Sequence, residues 1–194
     1  MNEATPPRGS IMSSFVPQKP LKKYSLFTRL LLRSQKRRFG QHLIPTMQWG
    51  KLPVLLGFFT GFYLYFNRKS SHLEPRMRSL VMLRVAQINW CNFCIDLNSL
   101  ILIERSGSQD LVNELENWHH STLLSEKEKA ALSYCEEMTD SNKKVSDKTR
   151  EKLKSLFKSD DIVELTALIA YQNMSAKFNS ALDLPNQGLC LRKK

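Results

Sequence analysis

Apolar residues along this chain recur at the three- and four-residue spacing of helices, and no stretch alternates convincingly in the manner of a strand. The fullest run is Met77 to Ser106. Met77, Leu80, Val81, Val85 and Ile88 mark one face, while Met82, Leu83 and Ala86 fill most of the rest, which predicts a helix buried nearly all round. A second helix follows it, with Gly107 as a C-terminal stop. Upstream, Lys22 to Arg38 predicts an amphipathic helix with Leu26, Phe27, Leu30 and Leu31 on its apolar side and Arg29, Arg33 and Lys36 away from it. Leu52 to Phe66 is the most apolar run. Its 15 residues are interrupted by Pro53, Gly57 and Gly61, and a membrane span needs about 20. It therefore predicts a buried core helix whose Phe and Tyr side chains suit one wall of an apolar pocket.

Helix boundaries are also legible. Pro75 is placed as a first helical residue, and Ser108 or Asp110 caps a short helix carrying Leu111, Val112, Leu115 and Trp118. Ser125 and Glu128 have capping-box spacing ahead of Ala131, Tyr134, Cys135 and Met138. Ser146 caps a helix presenting Leu153, Leu156 and Phe157, and Ser159, Asp160 and Asp161 introduce a long helix from Ile162 towards Leu182. The expected fold class is all-α, a helical bundle. It divides into a basic N-terminal arm with its amphipathic helix (1–45), a helical domain (46–184) and a C-terminal tail (185–194). Residues 1–20 hold four prolines and read as an arm or wrapping segment.

With 194 residues and 42% hydrophobic content, the chain can bury one substantial core. Its charge is lopsided: residues 1–78 carry 14 Lys/Arg against 2 acids, and residues 79–194 carry 15 against 16. The basic N-terminal helix fits packing on its own domain or on a neighbouring subunit, and its functional reading is a peripheral membrane contact on anionic lipid. Aromatic residues do not interleave with the basic ones as on a base-stacking surface, so nucleic acid is not expected. The four cysteines show no paired framework and no signal peptide opens the chain, which leads to the expectation of a reducing, cytoplasmic setting.

In that setting the candidate chemistry is Cys91-Asn92-Phe93-Cys94, a C-x-x-C pair between the two central helices. If the second helix begins at Cys91, then Cys91, Cys94 and Asn98 share one face, and two thiols one turn apart can close a disulfide with little chain movement. The plainer reading is two buried small hydrophobes. Trp90 and Phe93 flank the pair and would narrow access to it. Cys135 falls among core positions. Cys190, in the tail, could serve as a third, resolving thiol. A zinc site joining the pair to His119 and His120 is disfavoured, because adjacent histidines on a helix point in different directions.

From about Glu74 to Leu182 the chain resembles the carboxymuconolactone decarboxylase-like superfamily, in its AhpD-like alkylhydroperoxidase branch. The resemblance is carried, in family order, by LRVAQINWCNFC, LSEKEKAALSYCEEMT, VSDKTREKLKSLFKSDDIVELTALIAYQN and KFNSAL. It implies a packed α-helical fold that forms a homo-oligomer, commonly a trimer or its multiple. It also implies a cysteine pair that shuttles between dithiol and disulfide while reducing a hydroperoxide or a disulfide substrate, with electrons from an external thiol donor and no organic cofactor. The family motif places a glutamate twelve residues before the first cysteine and a histidine four after the second, as a proton relay. Here those positions hold Ser79 and Asn98, neither of which titrates. The start of the second helix remains to stabilise a thiolate, with Arg84 able to contribute if it turns inward, whereas Asp96 would oppose one. Which cysteine attacks stays open. The alternatives are a non-catalytic or redox-sensing oligomer, which the missing relay favours, and decarboxylase-type chemistry on a small organic acid, which does not depend on a cysteine pair.

Overall fold

The computed structural model describes residues 14–191; the N-terminal arm over 1–13 and the last three residues of the tail lie outside the described part. All regular structure among the described residues is helical. A short 3-10 turn at Leu21–Lys23 leads into α1 (Leu26–Phe39), α2 (Ile44–Trp49), α3 (Pro53–Phe66), α4 (Pro75–Ile88), α5 (Asn92–Ser106), α6 (Asp110–Glu114), α7 (Glu126–Thr139), α8 (Asp147–Leu156) and α9 (Ser159–Ala181). A further 3-10 turn, Leu115–His120, continues α6.

Helix α4 lies at the centre and packs against α5, α7 and α9. Leu80, Val81, Leu83, Val85 and Ala86 are all buried, as its all-round apolar pattern requires. Each of the leucine and valine side chains withdrawn from water contributes about 1.5–3 kcal/mol. Its own partners are set by local chemistry. Ser125 and Glu128 form the capping box that starts α7, and Gly107 takes a left-handed conformation (φ 71°) that ends α5 with its N–H on the Ile103 carbonyl. Arg78, buried on α4, donates to the Phe66 carbonyl and, at 3.3 Å, to that of Arg68. It thereby caps the end of α3, where a cation complements the helix dipole.

Two expectations about the N-terminal helices need correcting. Helix α1 does form, capped by Ser25 and closed by Gly40, but the side it buries holds Thr28 and Leu32, not the stripe of Leu26, Phe27 and Leu30, which stays exposed. The reason is a close approach: a Cβ on Gly50 would collide with the Thr28 methyl and sit 2.8 Å from the Thr46 carbonyl oxygen, so α1 meets the end of α2 through small residues. Helix α3 is not a buried core helix. Only Leu56 and Phe66 are fully buried, and Val54, Leu55, Phe58, Phe62, Leu64 and Tyr65 are exposed. None of the described helices is long and apolar enough to cross a membrane.

The described part of the tail is fixed. The buried Asp96 carboxylate accepts the backbone N–H groups of Gln187, Leu189 and Cys190, each at 2.9 Å. Gln187 in turn accepts from the Ile44 N–H at 2.8 Å and donates to the His42 carbonyl at 3.0 Å. Asp96 is thus committed to holding the chain end against the start of α5 and α2.

Candidate active site

The turn between α4 and α5 is pinned from α9. Asn89 donates to Asn173 Oδ1 at 2.9 Å, and Ser180 Oγ donates to the Asn89 carbonyl at 2.7 Å. Between these anchors Trp90 takes a positive φ of 54°, a conformation that a bulky residue keeps only when its surroundings enforce it. That turn brings Cys91 to the N-cap of α5, where its Sγ accepts the Cys94 N–H at 3.2 Å. The two cysteines are joined as a disulfide, with Cα atoms 5.1 Å apart. Once the bond opens, the helix N-terminus favours negative charge at Cys91.

Both cysteines lie in one buried cluster with Leu43, Phe93, Leu184 and Leu189, and Cys190 packs against it. Cys94 borders a cavity of about 330 Å³ walled by α1, α3, α5 and α9. The cavity is mainly apolar, with Leu56, Phe59, Met82, Phe93, Leu97 and Ile101 among its lining. Among the described residues its one charged side chain is Arg38, largely exposed and paired with Glu104 at 3.1 Å. The aromatic wall expected of the apolar 52–66 run is present as Phe59 and Tyr63. Burial pushes the Tyr171 phenol, also on the wall, far up, so that it stays neutral.

Asn98 is buried and borders the cavity one turn beyond Cys94. Ser79 stands apart: it accepts from the Arg105 guanidinium at 2.9 Å and donates to the Pro75 carbonyl at 3.1 Å, and it is not among the cavity-lining residues. Arg84 does not turn toward the cysteines; it pairs with Glu136 at 2.7 Å. Trp90 does not narrow access either, being 83% exposed. His119 and His120 are exposed at the end of the Leu115–His120 turn. Of the other thiols, burial drives Cys135 far up, and burial followed by the Asp96 charge raises Cys190.

The long helix α9 was expected from the sequence, but its part in the site was not. Gln172, Ser175 and Asn179 are buried yet border the cavity, and the Asn179 amide donates to Cys94 Sγ at 3.2 Å. The available signal was the spacing of these three polar residues at i, i+3 and i+7, which puts them on one face of the helix.

Known proteins share this arrangement of helices. Residues 53–137 match the model of the carboxymuconolactone decarboxylase family. The Escherichia coli protein YnjA is 40% identical over 171 residues, covering 88% of this chain and 94% of its own. Among solved structures, a peroxidase-related protein of Ralstonia eutropha with an alkylhydroperoxidase AhpD core superposes with a TM-score of 0.82 at 16% identity, over 92% of this chain and 95% of that one. An Agrobacterium tumefaciens protein described as a putative antioxidant defence protein AhpD gives 0.64 at 25% identity, over 69% and 91%. With a near full-length relative, a family match across its central helices and the same helical architecture, the chain belongs to the carboxymuconolactone decarboxylase family, within its AhpD-like superfamily.

Proposed function

We propose that this protein is a thiol-dependent oxidoreductase that reduces hydroperoxides, or exchanges disulfides, through Cys91 and Cys94. The observation that carries the reading is the asymmetry of the pair: Cys94 borders a mainly apolar cavity, whereas Cys91 sits at the N-cap of the same helix and is not among the lining residues. In the reduced state the Cys94 thiolate attacks the terminal oxygen of a hydroperoxide. The S–O bond forms, the O–O bond breaks, and the leaving alkoxide takes up a proton and departs as an alcohol. The Cys91 thiolate then attacks Cys94 Sγ; the disulfide closes and the hydroxyl leaves as water with a proton from solvent. An external dithiol, in a reducing cytoplasm, returns two electrons by exchange.

Steady-state consumption of cumene hydroperoxide with dithiothreitol as donor tests this. Wild type turns over, and Cys91→Ser and Cys94→Ser do not. Cys91→Ser accumulates a Cys94 sulfenic acid that dimedone traps, and Cys94→Ser does not. A wild type without turnover on any dithiol ends the enzymatic reading.

A second reading, a redox sensor that oxidises once, is favoured by one observation. Ser79 is tied to Arg105, and the Asn98 carboxamide is no acid–base group that could relay a proton. Stoichiometric oxidation without turnover would select it.

A further inference from the structure

Two amide carbonyl oxygens, Asn179 Oδ1 and Gln35 Oε1, are buried with no hydrogen-bond partner, and both residues border the cavity that Cys94 also lines. Buried acceptors are seldom left dry in folded proteins, and a pair of them on one cavity points to what that cavity holds. Asn179 is 2% exposed and oriented by its own bond: Nδ2 donates to Cys94 Sγ at 3.2 Å, which turns Oδ1 the other way. The reverse orientation would set an acceptor against a disulfide sulfur that has no proton to give. The remaining lining excludes charge. Among the described residues Arg38, exposed and already paired with Glu104, is the only ion in the lining, and an unpaired carboxylate or ammonium entering such a space loses its hydration without compensation.

We propose that the cavity bordered by Cys94 binds a neutral, largely apolar molecule that presents an O–H or N–H donor to Asn179 Oδ1. Asn179 is then a specificity residue, holding the sulfur through one end of its amide and the ligand through the other. A cavity of about 150 Å³ accommodates benzene, so one of about 330 Å³ takes a substituted ring or an equivalent branched chain. The inference rests on the hydroperoxide reading, whose O–O–H head supplies such a donor, and it disfavours small organic acids as substrates.

Calorimetric titration of the disulfide form of the full chain tests the inference without any turnover. The probes are cumyl alcohol, its methyl ether, which keeps the shape and loses the donor, and benzoate. The alcohol is expected to bind wild type about tenfold or more tighter than the ether, with no binding of benzoate. In Asn179→Leu that preference is expected to vanish while ether affinity is kept. Equal binding of alcohol and ether to wild type, no binding of either, or tighter binding of benzoate overturns the proposal, and these outcomes need no variant to fold. A preference that survives in a folded Asn179→Leu also overturns it. Retained preference without peroxidase turnover would instead sink the enzymatic reading and leave this ligand class standing.

Discussion

Asn179 on α9 donates its amide hydrogen to Cys94 Sγ at 3.2 Å, across 85 residues of chain. In the reduced protein the same donor stabilises a thiolate more than a thiol, because a hydrogen bond to an ion is the stronger one. Replacing Asn179 by Leu is therefore expected to lower the thiolate fraction at Cys94. Iodoacetamide alkylation of Cys94 in a Cys91→Ser background should slow several-fold at neutral pH, and its rate profile should move to higher pH. An unchanged profile would show that the contact plays no part in activating the sulfur.

Asp96 gathers three backbone N–H groups of the tail. Charge-assisted bonds of this kind contribute about 1.5–3 kcal/mol each when broken singly, so Asp96→Ala should release residues 184–191 and lower the stability by a few kcal/mol. The Cys190 thiol is raised by burial and then by the Asp96 charge. Removing both influences increases its thiolate fraction near pH 8. Cys190 should then react faster with Ellman's reagent, while Cys135, whose burial drives it far up, stays silent until unfolding. Equal Cys190 rates in both proteins would contradict the latch.

The cysteine pair and α4 were legible in the sequence because both are local. Cys91 and Cys94 needed only one helical turn to meet, and the burial of Leu80, Val81 and Leu83 followed from apolar residues filling most faces of the helix. Asn179 was not legible, since its contact with Cys94 depends on how α9 crosses the start of α5. The exposed stripe of α1 misled for a related reason: Thr28 is buried by its fit against Gly50, and shape complementarity leaves no periodic trace. Asp96 was read as a neighbour unfavourable to a thiolate, when the tail it binds lies 91 to 94 residues away.

Glu164 on α9 receives both guanidinium nitrogens of Arg68, at 3.0 and 2.8 Å, and the Ser71 hydroxyl at 2.6 Å. Burial alone would raise this carboxyl, but the Arg68 and Ser71 bonds hold it below its usual value. A depressed carboxyl contributes stability that is present above its unfolded-state pKa and lost as the pH falls through the folded one. Glu164→Gln should lower the melting temperature at pH 7, by several degrees for a loss of about 2 kcal/mol, and by progressively less as both proteins are acidified. A constant difference across that range would argue that packing, and not ionisation, carries the effect.

Val54, Leu55, Phe58 and Phe62 stand exposed along α3, and Gly57 and Gly61 leave open space between them. We propose that a second copy of this chain covers the face, since none of these residues is charged. Light scattering should give a mass above the 22.5 kDa of one chain, and Phe58→Glu should reduce it. A monomeric wild type that pellets with anionic vesicles would assign the face to lipid instead.

The cavity depends on α1 lying close to α2, because Leu31, Gln35 and Arg38 form one of its walls. Gly50 sets that distance. Its backbone is right-handed helical, with φ of −66°, so alanine is acceptable there on conformational grounds and any effect comes from its methyl group alone. That methyl meets Thr28 on one side and the Thr46 carbonyl at 2.8 Å on the other, and the second is backbone that cannot rotate aside. Overpacking of this kind costs about 1–3 kcal/mol. Gly50→Ala should melt several degrees lower, and by moving the α1 wall it should weaken cumyl alcohol and its methyl ether alike, leaving the ratio between them intact. Asn179→Leu is expected to do the opposite, removing the ratio and keeping the ether. A Gly50→Ala protein with wild-type stability and wild-type affinities would mean that α1 yields without cost and does not shape the cavity.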